Sequence, residues 1–355
     1  MARTIRQGPF RDLITIVAPG RSRRSHTPVR TQFGETGKIC PFCEGNEDQT
    51  LEEVFALRPT ATAPNRPGWA VRVVPNRYPA VTRGSASVLT SQGLHQQARA
   101  VGVHELVIDT PVHTSRLTEF SVEKLQAVLA VYRARLDVHA RTSGIRFIVL
   151  FRNDGRAAGA SQDHPHSQIL ALPLVPPAVQ RELAAAEEHL RIRNRCVTCE
   201  VLESESRDGP RVITRNGSFV AMTSFSGRFP YECFITPAFH AHDFRDTGDE
   251  QLRSLAEILK GILAGLELVL GRFSYNLMLQ NCPPSSTFAG EHAFHWRLEI
   301  LPRLSVPSGV ELATDVYINP LSPEEAARDL RSALTRLQPP DSPTPLRDGS
   351  DSQFS

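Results

Sequence analysis

The chain contains an internal repeat, which constrains its fold more than any other feature of the sequence. In each half a CxxC pair precedes a histidine that ends a strand-like segment. A long helical pattern follows, then a strand-like segment ending in asparagine (FIVLFRN in the first half, YNLMLQN in the second) and a final histidine. Glu105 and Glu232 precede His113 and His240 by the same interval. Such a repeated order predicts two copies of one structural unit.

The repeat also supplies two matched sets of metal-binding side chains. Zinc prefers four tetrahedral sulfur and nitrogen ligands, so each CxxC needs two histidines from elsewhere. With 6 cysteines in 355 residues and no apolar, positively led N-terminal segment, the sequence is not that of a secreted disulfide scaffold. We therefore predict about two structural zinc ions (Zn2+) per chain, held by Cys40, Cys43, His113 and His164 and by Cys196, Cys199, His240 and His295.

The two halves differ at the position that matters for chemistry. Residues 164–166 read HPH in the first half, whereas residues 295–297 read HWR in the second. A neutral imidazole is a nucleophile for phosphorus, and the central proline of HPH stiffens the backbone. If His164 and His295 bind metal, only His166 remains as a histidine nucleophile. The alternative is a surface turn that contains two histidines without a function.

Polar and small residues surround this motif. Backbone N–H groups near Gly159 and Ser161 suit phosphate oxygens. Asn153 ends the preceding strand, where its side chain would reach the α-phosphate or His166. Gln168 can donate a hydrogen bond to a phosphate oxygen but cannot act as a general acid. These residues predict phosphate chemistry with His166 as the reacting group.

The hydrophobic patterns predict an α+β fold. In each half strands flank one long helix, which favours a mostly antiparallel sheet with helices packed on it. Net charge is +2, so charge gives no sign of a nucleic-acid surface, and no segment has the apolar length of a membrane span. Predicted strands are Leu13–Val17, Ala70–Val74, Glu105–Ile108, Phe147–Phe151, Gln168–Leu172, Phe219–Met222, Cys233–Thr236, Tyr275–Leu279 and Arg297–Leu301. Predicted helices are Val122–His139, Pro177–Arg193, Asp249–Leu270 and Pro323–Leu337.

With these motifs the chain resembles the galactose-1-phosphate uridylyltransferase family of the histidine-triad superfamily. The segments that carry the resemblance are DLITIVAPGRSRR, CPFC, VVPNRYPAV, GRAAGAS with HPHSQ, and YINP with SPEEAA. The repeated CxxC and YINP resemble most the branch with plant ADP-glucose phosphorylase. The resemblance implies a duplicated histidine-triad-like fold, with a catalytic half at 1–174 and a structural, substrate-closing half at 175–338. The composition of residues 339–355 predicts a disordered tail.

The resemblance implies a covalent nucleophile at His166, which the carbonyl group of zinc-binding His164 would orient. The activity expected is transfer of a nucleoside monophosphate, with UMP favoured, between a nucleotide sugar and a hexose 1-phosphate by a ping-pong route. Superfamily hydrolases have a third histidine at the position of Gln168, so a glutamine there favours a transferase. The alternatives are an ADP-glucose phosphorylase-like adenylyltransferase, a nucleotide-sugar hydrolase, or a catalytically silent, zinc-stabilised binding protein.

Substrate contacts follow from the same resemblance. Arg21 and Arg24 match positions that contact nucleotide phosphate or ribose, although a solvated basic turn is the alternative. Glu311 matches a glutamate on sugar hydroxyls, with a solvated strand carboxylate as the alternative. The stretch Asn76, Arg77 and Tyr78 matches the nucleoside site, and Tyr78 is alternatively a core aromatic. The expected partners are a nucleotide sugar and a sugar 1-phosphate, with no nucleic acid or membrane. We expect a cytoplasmic protein of galactose metabolism, with a homodimer left open.

Overall fold

The structure is a computed structural model that describes residues 4–8, 14–18, 40–84, 90–113, 116–205, 209–284 and 288–337. Arg21, Arg24 and the predicted disordered tail at 339–355 lie outside them.

The described residues form one large antiparallel sheet, two small sheets and seven α-helices. The strands are β1 Thr4–Gln7, β2 Ile14–Val17, β3 Phe55–Leu57, β4 Val71–Pro75, β5 Thr90–Gln92, β6 His95–Gln97, β7 Val103–Ile108, β8 Phe147–Asp154, β9 His166–Leu172, β10 Val212–Arg215, β11 Phe219–Thr223, β12 Cys233–Pro237, β13 Tyr275–Gln280, β14 Arg297–Pro302 and β15 Val316–Asn319. The helices are α1 Val122–Ala140, α2 Pro177–Arg193, α3 Val197–Ser204, α4 Asp249–Leu270, α5 Phe288–Ala293, α6 Gly309–Thr314 and α7 Pro323–Leu337. The predicted α+β class with a mostly antiparallel sheet is confirmed.

The order of strands in the ten-stranded sheet follows the duplication. From one edge the first half contributes β3, β4, β7, β9 and β8, and from the other edge the second half contributes β10, β11, β12, β14 and β13. The halves meet where β8 pairs with β13, so that Leu150 lies opposite Leu279 and Phe151 opposite Met278. α1 follows β7 as α4 follows β12. Matching elements therefore lie at matching distances from the centre of the sheet.

The division into halves at 174 and 175 stays a prediction. That boundary falls in the connection between β9 and α2. The N-terminal strands β1 and β2 do not join the large sheet. Instead β2 pairs in parallel with β15, and Thr15 donates a hydrogen bond to the carbonyl of Ser226, so this N-terminal segment packs on the second half.

Strand β9 shows how the sheet separates core from site. Successive side chains of a strand point to opposite faces. Ile169 belongs to the main hydrophobic core, and Ser167 shares a hydrogen bond with the hydroxyl of Tyr132 on helix α1. His166 and Gln168 therefore project from the face opposite α1. One face of the sheet packs against the main hydrophobic core, and the other carries His166 and Gln168.

Three predicted helices, α2, α4 and α7, have the observed bounds, and α1 extends one residue further than predicted. Ser121 caps α1 by accepting from the N–H of Lys124. β9 begins at His166 rather than Gln168 because β7 continues far enough for Ile108 to pair with His166. The short helices α3, α5 and α6 were not predicted, since so few residues carry little periodic signal.

Candidate active site and metal sites

The geometry of His166 fixes the protonation of its ring. Nδ1 of His166 lies 2.8 Å from the carbonyl oxygen of His164. A carbonyl only accepts, so Nδ1 carries the proton and Nε2 keeps a lone pair. Burial, together with the charge of Arg152, lowers the pKa of His166 to about 4. The ring is therefore neutral near pH 7, in the tautomer that a nucleophile needs.

The first predicted set of metal ligands converges on one point. The ligand atoms of Cys40, Cys43, His113 and His164 all lie within 4.8 Å of one another. Nδ1 of His164 is 3.6 Å from each sulfur, and Nδ1 of His113 is 3.5 Å from Cys43 Sγ. Nε2 of His164 lies 2.7 Å from the Thr110 carbonyl, so that Nδ1 is left to coordinate.

The second predicted set converges in the same way. Its members are Cys196, Cys199, His240 and His295, whose ligand atoms also lie within 4.8 Å of one another. Cys199 Sγ is 3.6 Å from Nδ1 of both histidines. Nε2 of His295 faces the Pro237 carbonyl and Nε2 of His240 faces the Glu291 carbonyl, each at 3.2 Å. The same ring nitrogen faces the cysteines in both halves.

Both sets fit zinc. Zn–S bonds of about 2.3 Å and Zn–N bonds of about 2.0–2.1 Å at a tetrahedral angle separate sulfur from nitrogen by about 3.6 Å. The sulfur–nitrogen distances in the two sets are between 3.5 and 4.0 Å. Burial and the neighbouring Cys40 raise the pKa of Cys43 to about 11, so a pair of thiolates requires a cation. Four protein ligands leave no open position, which is typical of a structural site.

Phe42 connects the first CxxC to His166. Its buried ring centroid lies 5.2 Å from that of His166 and 6.0 Å from that of His164. Movement of the CxxC loop would therefore disturb the packing of His166. Sequence reasoning did not single out Phe42, although its place between the two cysteines was a usable signal.

A buried ionic cluster supports the HPH segment from the core side. Arg152 pairs with Asp109 and Asp154 and donates to the carbonyl of His166 at 3.4 Å. The N–H of Asp109 donates to the carbonyl of Pro165 at 3.1 Å. Breaking a buried ion pair leaves an uncompensated charge, so this cluster holds the backbone around His166 firmly. Asp109 lies 43 residues from Arg152, and the sequence analysis missed this cluster.

The turn before HPH is supported from the second half. Asn276 on β13 donates from Nδ2 to Asn153 Oδ1 and to the carbonyl of Ala158, each at 2.9 Å. Gly159 follows with φ +87°, a left-handed conformation that favours glycine. Ser161 is exposed. The turn is thus oriented by a residue of the other half.

Gln168 contacts a histidine to which sequence reasoning gave no role. Its Oε1 lies 2.9 Å from Nε2 of His104 on the neighbouring strand β7. Asn76 Nδ2 lies 3.2 Å from the same ring nitrogen, and Asn76 Oδ1 accepts from the N–H of Tyr78. The structure therefore brings Asn76 of the predicted nucleoside stretch together with Gln168.

The remaining predicted substrate residues are more exposed. Tyr78 is 84% exposed, so the alternative that it is a core aromatic is wrong. Arg77 is exposed, with Nη1 3.5 Å from the Gln49 carbonyl. Glu311 lies in helix α6, not in a strand as the alternative supposed, and its carboxylate accepts from the N–H and hydroxyl of Ser308. Its contact with a sugar stays a prediction.

The comparisons with known proteins agree with one another. Residues 16–176 match the family described as galactose-1-phosphate uridyl transferase, N-terminal domain, and residues 105–342 match a domain of unknown function, DUF4921. The chain is 31% identical to ADP-glucose phosphorylase of Arabidopsis thaliana, covering 92% of each chain. It is 28% identical to galactose-1-phosphate uridylyltransferase of Thermotoga maritima, covering 94% of this chain and 99% of that one.

Solved structures show the same fold. The crystal structure of the A. thaliana ADP-glucose phosphorylase with bound ADP-glucose has a TM-score of 0.80 at 30% identity, covering 93% of this chain and 99% of that one. A uridylyltransferase structure has a TM-score of 0.73 at 27% identity, covering 95% of this chain and 99% of that one.

Proposed function

Because the chain belongs to the galactose-1-phosphate uridylyltransferase family, we propose that it transfers a nucleoside monophosphate from a nucleotide sugar to a second phosphate through a covalent adduct on His166. One observation carries the proposal. His166 is buried, its Nδ1 faces the carbonyl of His164 at 2.8 Å, and its Nε2 has no partner among the described residues. The residue is thus arranged as a nucleophile and not as a structural histidine.

The reaction has two steps. First, Nε2 of His166 attacks the α-phosphorus of the nucleotide sugar, a P–N bond forms, and the bond to the bridging oxygen breaks as sugar 1-phosphate leaves. A phosphate is a good leaving group and needs no acid. Second, a phosphate oxygen of the acceptor attacks the same phosphorus and breaks the P–N bond, which returns the lone pair to Nε2. Between the steps, the proton stays on Nδ1 and is hydrogen-bonded to the His164 carbonyl.

The surrounding residues bind the phosphoryl group. Gln168 projects from the same face of β9 as His166 and would donate an amide N–H to a phosphoryl oxygen. Asn153, oriented by Asn276, and the turn of Gly159 and Ser161 would bind the other oxygens. A side-chain amide cannot deliver a proton to a leaving group, so these residues favour transfer over hydrolysis.

The two Cys–His groups are proposed as zinc sites. Bound zinc would contribute folding free energy and hold the ligand loops. His164 would serve twice, since its ring binds metal and its carbonyl orients His166. Loss of the first metal is therefore expected to reduce both stability and transfer.

The donor nucleotide has two candidates. We favour UMP, as in the uridylyltransferases. The alternative, transfer of AMP, is supported by the 31% identity to the A. thaliana ADP-glucose phosphorylase across 92% of both chains. The proposed partners are a nucleotide sugar and a sugar 1-phosphate. No helix in the described ranges is long and apolar enough to cross a membrane. A homodimer, a cytoplasmic location and a role in galactose metabolism stay predictions.

Mass spectrometry of the intact protein tests the proposal. The chain is incubated separately with UDP-glucose and ADP-glucose, quenched and weighed. A uridylyl adduct that maps to His166 supports the proposal with UMP, and an adenylyl adduct supports it with AMP instead. If neither donor gives an adduct while the protein retains its fold and metal, the proposed function is wrong.

A further inference from the structure

His104 contacts the proposed phosphate-binding residue from a neighbouring strand. It lies on β7 opposite Leu170 of β9, and its Nε2 is 2.9 Å from Gln168 Oε1. Gln168 is half-buried and pairs with Leu106. His104 is therefore close enough to determine how the Gln168 amide is turned.

The backbone fixes the tautomer of His104. The N–H of Ala80 donates to Nδ1 of His104 at 3.1 Å. A backbone N–H can only donate, so Nδ1 must accept and the proton of the neutral ring lies on Nε2. Nε2 is thus a donor, and the atom it faces must be an acceptor.

Among the described residues, one neighbouring atom can accept this proton. Asn76 Nδ2 lies 3.2 Å from Nε2, but Asn76 Oδ1 is taken by the N–H of Tyr78 at 2.9 Å, so Asn76 presents its N–H₂ group. Two donors do not bond. Gln168 Oε1 is the remaining neighbour, and the Gln168 amide must turn its oxygen toward His104.

We propose that His104 is a positioning residue that orients the Gln168 amide so that Nε2 of Gln168 donates to an α-phosphoryl oxygen of the substrate; this inference rests on the proposed function. Without His104, the Gln168 amide could turn by half a rotation and present its oxygen to a negatively charged phosphate. Nε2 of Gln168 has no partner among the described residues, so both of its protons are available. The chain of hydrogen bonds thus runs from the N–H of Ala80 through the His104 ring to the Gln168 amide oxygen.

Two substitutions separate the two sides of the ring. In His104→Asn, the amide oxygen replaces Nδ1 and still accepts from Ala80, but the donor toward Gln168 is lost. In His104→Gln, the amide nitrogen replaces Nε2 and keeps that donor. We expect the rate of adduct formation on His166 to fall about three- to tenfold in His104→Asn, as for loss of one hydrogen bond, and to change by less than about twofold in His104→Gln.

A double-mutant cycle excludes a merely structural role. If His104 acts through Gln168, His104→Asn has no further effect on the rate in a Gln168→Ala background. Equal effects of His104→Asn with and without Gln168 would overturn the inference. The rate is measured by quenched-flow mass spectrometry with whichever of UDP-glucose and ADP-glucose forms the wild-type adduct.

A measurement on the wild-type chain tests the inference without depending on whether a variant folds. Nitrogen-15 NMR of the histidine rings reports which nitrogen carries the proton. A neutral His104 with its proton on Nε2 supports the inference, whereas a proton on Nδ1 overturns it. The two hypotheses fail separately: absence of any adduct in the wild type refutes the proposed function, and an adduct with the wrong tautomer or an additive cycle refutes only the role of His104.

Discussion

The two halves of the sheet share the same set of two cysteines and two histidines but differ at the position of the proposed nucleophile. β9 begins with His166, whose Nε2 is free among the described residues. β14 begins with Arg297, which is buried and donates to Glu182 of helix α2 at 2.6 Å and to Glu299 at 2.9 Å. The equivalent space in the second half is therefore filled by ion pairs. Under the proposed function, a Cys–His set therefore does not by itself make a half catalytic.

The halves also differ two residues further along these strands. The first has Gln168, an amide that can donate to phosphate, whereas the second has Glu299, a carboxylate that would repel it. The second half also provides Asn276, which donates hydrogen bonds to the turn before HPH in the first half. Under the proposed function, the first half carries the chemistry and the second half supports it.

The largest effect on transfer is expected from removing the side chain of His166. His166→Gly removes the nucleophile but leaves all four ligands of the first metal group, so we expect transfer to fall by a factor on the order of 10⁴ or more. The fold and metal content should not change. A preformed imidazolide of the nucleotide would fill the space and restore transfer to a sugar 1-phosphate. Steady-state exchange and intact mass measure these outcomes, and a nucleotide adduct on the variant would refute the assignment of His166.

The next effect tests whether the metal scaffolds are equivalent. Cys43→Ser and Cys199→Ser each remove one ligand, so each should reduce zinc from about two to about one per chain and lower the melting temperature by about 5 °C or more. Cys43→Ser should also slow adduct formation, because Phe42 packs against His166. Cys199→Ser serves as the matched control, because it removes the corresponding cysteine of the second half. Metal analysis that finds no zinc in wild-type protein purified without chelator would contradict this prediction.

The sequence predicted those parts of the molecule that rest on local or repeated signals. Helices α2, α4 and α7 have the predicted bounds because each lies between recognisable start and stop residues. The two Cys–His sets were recognisable because the same order occurs twice, and the structure brings both together. Zinc binding itself stays a prediction.

The rest depends on which strands become neighbours. His104 meets Gln168 only because β7 lies beside β9, and Asn276 meets Asn153 only because β8 pairs with β13 at the junction of the halves. No local pattern encodes either pairing. The burial of Arg297 against Glu182 is equally non-local, since the glutamate comes from helix α2.

A smaller effect is expected at the junction of the halves. Asn276→Ala removes both hydrogen bonds to the turn before HPH, so we expect the rate of adduct formation to fall about tenfold or less. Asn216→Ala is the control, because it also removes side-chain hydrogen bonds but lies beyond β10 at the edge of the sheet. Both variants should lose about 1–2 kcal/mol of unfolding free energy. Equal rates in the two variants would show that the second half does not support the active-site turn.

The smallest effect is expected from giving the second half a histidine. In a His166→Gly background, Arg297→His restores the residue type at the matching position, yet we expect no adduct. Glu182 would still fill the space, and Glu299 would repel the phosphate of the donor. The substitution also removes the ion pairs of Arg297 with Glu182 and Glu299, so the melting temperature should fall. Intact mass after incubation with UDP-glucose or ADP-glucose measures the result. An adduct on the introduced histidine would show that the metal scaffold alone is sufficient for catalysis and that the difference between the halves is a single residue.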